Sequence, residues 1–138
     1  MKKFTLLFAS LFLINNAIAQ SHNSTQSHQG IVNDISIITT LGEFENAYYT
    51  AGEDGFVIKW TNDGLGEHYQ ITDVGIKLIA VSPNGNDIAV YESDGGSVNK
   101  VSIWDWKTLT RKKQFKYNDS ITSLEFSAKG TYLIIGTA

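Results

Sequence analysis

Three histidines, His22, His28 and His68, are the side chains best suited to acid–base or metal chemistry in this chain, and their spacing supports neither. A zinc site needs two His four apart around a Glu on one helix face, or His combined with Cys. The chain has no such spacing and no cysteine, so thiol chemistry is excluded as well. A nucleophilic Ser on a Gly-x-Ser-x-Gly turn is also absent. Asp54-Gly55, Asp63-Gly64 and Asp94-Gly95 could suggest calcium, but Asp-Gly is what a tight hairpin turn demands for positive φ. No stretch carries the alternating acidic loop with its closing Glu. Trp104, Asp105 and Trp106 resemble a sugar-stacking box in composition. Alternation along a strand sends both Trp rings to one side, which predicts Trp104 packed between sheets and Trp106 partly exposed near the strand end. The expectation is no catalytic residue, no metal and no cofactor.

The elements that position these residues begin after an address. Lys2 and Lys3 precede an apolar run from Phe4 to Ile14, too short to span a membrane, followed by the small-x-small site Ala17-Ile18-Ala19. Residues 1–19 are expected to be a cleaved signal peptide, leaving Gln20 at the new terminus and no membrane span. No Cys follows the cleavage site, so a lipid anchor is not expected. The destination would be the periplasm, the cell surface or the outside. Without cysteine no disulfide can help an exported fold, and burial and sheet hydrogen bonds must carry stability.

Loss of Lys2 and Lys3 takes Lys+Arg from 11 to 9 against 14 Asp+Glu, moving the net charge from -3 to -5. Nucleic acid is therefore an unsuitable partner, and the basic cluster Arg111, Lys112 and Lys113 reads as a solvated loop. The apolar fraction of 42% and aromatic fraction of 12% speak for a folded chain. Residues 20–30 read as a flexible polar leader. From Ile31 onward short runs of Val, Ile, Tyr, Phe and Thr alternate with turn residues such as Glu53-Asp54-Gly55, Asn62-Asp63-Gly64, Pro83-Asn84-Gly85 and Ala128-Lys129-Gly130. Nothing between them has helical periodicity, and an all-β chain of antiparallel meanders follows.

Those strands recur. Ile76-x-x-Ile79-x-Val81-Ser82-Pro83-Asn84-Gly85 is echoed by Ile121-x-x-Leu124-x-Phe126-Ser127-Ala128-Lys129-Gly130 at a spacing of 45, and Val57-Ile58-Lys59-Trp60 by Val101-Ser102-Ile103-Trp104 at a spacing of 44. A period near 45 with a Trp closing the third of four strands resembles the WD-repeat β-propeller family. The resemblance implies an incomplete β-propeller of four-stranded antiparallel blades: blade one over 31–71, blade two over 76–117 and a partial blade three over 121–138. In blade two, Trp104 and Asp105 stand as the blade-closing pair. Members of that family join a His, a Ser or Thr, an Asp and a Trp in a hydrogen-bonded tetrad. The resemblance implies a structural tetrad of His28, Thr50, Asp54 and Trp60 in blade one, and in blade one alone, because Thr72 and Tyr117 stand at the later His positions.

Rings of this kind hold about 4 to 8 blades. Two repeats and half a third therefore lead to the expectation of a truncated or fragmentary chain, with an open edge at Tyr132 to Ile135 through which it self-associates. The turn Ser93 to Lys100 should protrude. The function implied is a non-catalytic exported propeller offering a protein-binding or scaffolding surface to a protein partner. The alternative is an accessory domain of a larger secreted hydrolase whose catalytic residues lie elsewhere.

Overall fold

Apolar alternation dictates strands with one buried face, and a computed structural model places them for residues 21–24, 27–38, 47–61 and 64–138. The expected signal peptide and Gln20 lie outside the described residues, as do Asn62 and Asp63 of one expected turn. The described residues form strands, turns and bends with no helix, so none among them is long and apolar enough to cross a membrane.

Blade one consists of β2 (Val32–Ile38), β3 (Ala47–Gly52), β4 (Phe56–Trp60) and β5 (Gly66–Gln70). Blade two consists of β6 (Ile76–Val81), β7 (Asp87–Ser93), β8 (Asn99–Asp105) and β9 (Thr110–Lys116), paired in that order. The third sheet holds β10 (Ile121–Phe126) and β11 (Leu133–Thr137). Every pairing among the described strands is antiparallel, as the described three- to six-residue hairpin connections require. One irregularity recurs at the start of the inner strand of each sheet, between Val32 and Asp34, Ile76 and Leu78, and Ile121 and Ser123. A bulge placed identically three times fixes the repeat register independently of residue identity.

The segment expected to be a flexible leader is in part a strand. β1 (Ser21–Ser24) pairs along the whole of Gly66 to Tyr69 and makes blade one five-stranded, in the order β1-β5-β4-β3-β2. The physical reason is the exposed backbone of β5: an edge strand offers hydrogen bonds to any neighbouring chain whatever its side chains. The basic cluster is not a loop either. Arg111, Lys112 and Lys113 lie in β9, whose residues are all exposed, and cations along an edge oppose pairing with another chain.

Two apolar layers sit between the sheets. Tyr49, Ala51 and Val57 of blade one pack on Ile76, Ile79, Val81, Ile88 and Val90 of blade two, joined by both Trp104 and Trp106. Ala89, Tyr91 and Val101 of blade two pack on Ile121, Leu124 and Phe126 of the third sheet. Burying one such aliphatic side chain stabilises by about 1.5–3 kcal/mol, so the junctions hold the fold. Trp106 is buried, with 9% of its surface accessible, where partial exposure was expected. It stands edge-on to Tyr49 and Tyr69, its ring centroid 5.4 Å and 4.3 Å from theirs, because the strand end it follows lies against blade one.

Candidate functional site

The turn from β3 to β4 lies where four side chains meet. Gly55 adopts a φ of 75° there, and a Cβ at that position would collide with the carbonyl of Thr72, so the turn needs glycine. Asp54 precedes it, and its carboxylate accepts hydrogen bonds from Gln29 N at 2.9 Å and Phe56 N at 3.2 Å. His28 Nδ1 lies 2.9 Å from Asp54 Oδ1, and His28 Nε2 lies 2.8 Å from Thr50 Oγ1. Trp60 Nε1 donates to the same hydroxyl at 2.9 Å. The structure thus brings His28, Thr50, Asp54 and Trp60 into one chain of hydrogen bonds.

Its polarity follows from donors and acceptors. Trp60 can only donate and an ionised Asp54 can only accept, so Thr50 passes its proton toward Nε2 and the imidazole carries its own on Nδ1; this tautomer is assigned from the network. Burial pushes the Asp54 carboxyl up, but the hydrogen bonds from His28, Phe56 and Gln29 outweigh it and hold it below the usual carboxylate range. Every ring nitrogen and hydroxyl of the group is engaged inside the blade. A general base needs an open side toward a substrate, and this arrangement fastens the chain before β2 to the β3–β4 turn instead.

Blade two lacks the histidine yet builds a counterpart. Trp104 Nε1 donates to Ser102 Oγ at 3.0 Å, Ser102 donates to Glu92 Oε1 at 2.5 Å, and Lys100 Nζ lies 2.9 Å from Glu92 Oε2. Glu92 is buried, with 2% of its surface accessible. Residue-type matching missed this group because its hydroxyl comes from the third strand rather than the second. The signal was a lone Glu closing the apolar run Ile88 to Tyr91, facing Lys100 across the ladder. Glu92→Ala is expected to cost about 1–3 kcal/mol, since Ser102 and Trp104 lose their terminal acceptor. Glu92→Gln should cost less, and denaturant midpoints of the two variants check the order. Asp105, the other member of the blade-closing pair, caps the following turn: it accepts from Thr108 N at 2.9 Å and lies 3.4 Å from Lys112 Nζ.

A polar clasp joins the first two blades across their inner strands. Asp34 Oδ2 accepts from Ile79 N at 2.8 Å, and Asn33 Nδ2 donates to Ile76 O at 2.7 Å and to Glu53 Oε1 at 3.0 Å. Glu53 also pairs with Lys77. The hydrogen bonds from Lys77 and then Asn33 hold the Glu53 carboxyl below its ordinary range. Tyr49, by contrast, is pushed up to about 12 by burial first and by Glu67 and Tyr69 next, which leaves its phenol fully protonated. Among the described residues no three His, Asp or Glu side chains gather as metal ligands.

The surface feature that stands out is the β7–β8 hairpin. Its ladder holds seven facing pairs, from Asp87 and Asp105 to Ser93 and Asn99, against four in the β3–β4 hairpin of blade one. At the tip Asp94 Oδ1 accepts from Gly96 N at 2.8 Å and Val98 N at 2.9 Å, and those bonds hold its carboxyl below the ordinary range. The loop is exposed and internally ordered.

Comparisons with known proteins follow the same architecture. A family model described as an N-terminal beta-propeller domain matches residues 13–138. An uncharacterized protein of Treponema pallidum (strain Nichols) is 37% identical over 99 residues, 71% of this chain, and the chain spans 16% of that protein's length. A solved structure, the crystal structure of RRP9 WD40 repeats, superposes with a TM-score of 0.64 at 18% identity, covering 87% of this chain and 36% of that one. The likeness to that solved structure is one of fold alone.

Proposed function

The chain belongs to the family of N-terminal β-propeller domains, and from that premise we propose that it is a non-catalytic, exported protein-binding or scaffolding domain. The observation that carries this reading is the β7–β8 hairpin, longer than its counterpart in blade one and ordered at its tip by Asp94. Loops held rigidly on a packed scaffold are where recognition concentrates. The closed hydrogen-bond chains around His28 and Glu92 support the non-catalytic part, because their ring nitrogens, hydroxyls and carboxylates are engaged with one another inside the blades. Export rests on the leader at residues 1–19, and the mature chain then begins at Gln20.

A photo-reactive residue at Ser97, placed in the native host, tests it. One discrete protein adduct is expected, several-fold weaker when Asp94→Ala releases the loop tip, and absent when the same residue replaces Lys129 on a different turn. Equal labelling from both positions, or an adducted chain that still begins at Met1, would count against binding and export respectively. A second reading has one observation in its favour: the chain spans 16% of a relative's length, which leaves room for an accessory role beside a hydrolase domain. An adduct mapped to a catalytic domain of the same polypeptide would select it.

A further inference from the structure

The outer edge of blade one is occupied, and the same edge of blade two is not. β1 adds to β5 as a fifth strand, facing it from Ser21 and Tyr69 to Ser24 and Gly66. Its sequence, Ser-His-Asn-Ser, has no strand propensity, so the backbone of β5 is what admits it. The repeat register carries that place onto β9. Tyr69 stands opposite Val57, which stands opposite Ala51, and Phe115 stands opposite Val101, which stands opposite Tyr91. The stretch of β5 under β1 therefore corresponds to the part of β9 around Lys113 to Phe115. Blade two has all four of its strands, and among the described residues β9 pairs with β8 alone. The hydrogen-bonding groups along its outer edge point away from the ring, so their exposure depends on neither neighbouring sheet.

Charge decides what can occupy that place. Arg111, Lys112, Lys113 and Lys116 all lie exposed along β9, in a chain whose formal charge is -3. Two of them are engaged: Lys112 pairs with Asp87 and Asp105, and Arg111 lies over the Trp104 ring at 5.9 Å. Among the described residues Lys113 and Lys116 meet no carboxylate. Lys116 also stands directly opposite Lys100, whose Nζ is already held by Glu92 at 2.9 Å. Like charges facing each other across a ladder are destabilising, and a carboxylate on a strand beside β9 relieves that repulsion. The same cations keep a second copy of this edge away.

We infer that the outer edge of β9 is a strand-addition site for an acidic, extended segment of a partner protein, which lies where β1 lies on blade one and sets carboxylates against Lys113 and Lys116. Main-chain hydrogen bonds to β9 supply affinity, as in other strand-addition modes, and the two ammonium groups supply selectivity. The inference rests on the protein-binding reading and deepens it by stating the chemistry of the partner.

The probe is a synthetic peptide, Thr-Val-Glu-Thr-Val-Glu-Val-Thr, whose two carboxylates have the spacing of Lys113 and Lys116, titrated into the full exported protein by fluorescence anisotropy. One-to-one saturable binding is expected, weakened at least about tenfold when Lys113→Glu and Lys116→Glu are combined in the protein. Both lysines are exposed, so the melting curve of that variant should match the parent's. Two further peptides carry N-methyl groups on the odd or on the even amides. One should lose binding and the other keep it, because only every second amide of a strand points at a given neighbour. No binding, binding that survives the charge reversal, or equal binding by the two methylated peptides overturns the inference. So does equal affinity for a nucleic-acid oligomer, since the strip is then a general polyanion site. A Ser97 adduct that persists beside any of these failures leaves the broader protein-binding reading standing.

Discussion

Trp106→Ala is expected to lower the stability of the fold by about 3–5 kcal/mol, the range for removing a buried Trp from a packed layer. The ring belongs to blade two, whereas both its aromatic neighbours, Tyr49 and Tyr69, belong to blade one. Each edge-on pair contributes about 0.5–1.5 kcal/mol beyond the area it buries. The loss therefore falls on the junction and not within either sheet, and the two blades should come apart as separate cooperative units. Urea denaturation followed by tryptophan fluorescence and by far-ultraviolet circular dichroism should give coincident curves for the parent chain and displaced curves for the variant. A single transition shifted by under about 1 kcal/mol would show that Trp106 is not the bond between blades.

Asp54→Ala should cost about 1.5–3 kcal/mol, because it strips the acceptor from the His28 ring and from the amides of Gln29 and Phe56 at once. The pH dependence has a definite sign. The folded-state carboxyl titrates below the unfolded value of 3.8, so its contribution is fully present above that value and is lost as the pH falls through the folded one. The parent chain should show an acid limb of destabilisation beginning near pH 4, and Asp54→Asn should flatten it while lowering the neutral plateau. Thermal melts from pH 2.5 to 7 read both effects. An unchanged acid limb in Asp54→Asn would place the sensitivity on another carboxylate.

How much of this was legible in the sequence depends on whether a feature is carried by residue type or by geometry. The all-β character and the blade period were written in apolar alternation and in the two echoes of Ile76 to Gly85 and of Val57 to Trp60. The nearness of His28 to Asp54 and Trp60 followed only from resemblance to a family, since 26 residues separate His28 from its carboxylate partner. What escaped reading was carried by the backbone or by exchanged roles. β1 has the sequence Ser-His-Asn-Ser, with no strand propensity, and exists because β5 offers an edge. The Glu92 network escaped because its hydroxyl moved from one strand to its neighbour. Trp106 was assigned partial exposure because alternation shows on which side a side chain lies, but not how far the adjoining sheet extends.

The clasp at Asp34 and Asn33 gives the two junctions different mechanics. Where inner strands are pinned by short directional bonds from side chain to backbone, sliding one blade along the other must break those bonds within a few tenths of an ångström, so the joint is stiff and brittle in shear. The layer between blade two and the third sheet is held mainly by apolar contact, which has no preferred direction and gives way gradually, and the bond from Asn99 Nδ2 reaches only the connecting segment at Asp119 O. A pull along the chain should load the two unequally: the second joint creeps like a lubricated bearing while the first holds until it snaps, so the third sheet can change its tilt with blades one and two still locked as a single rigid plate.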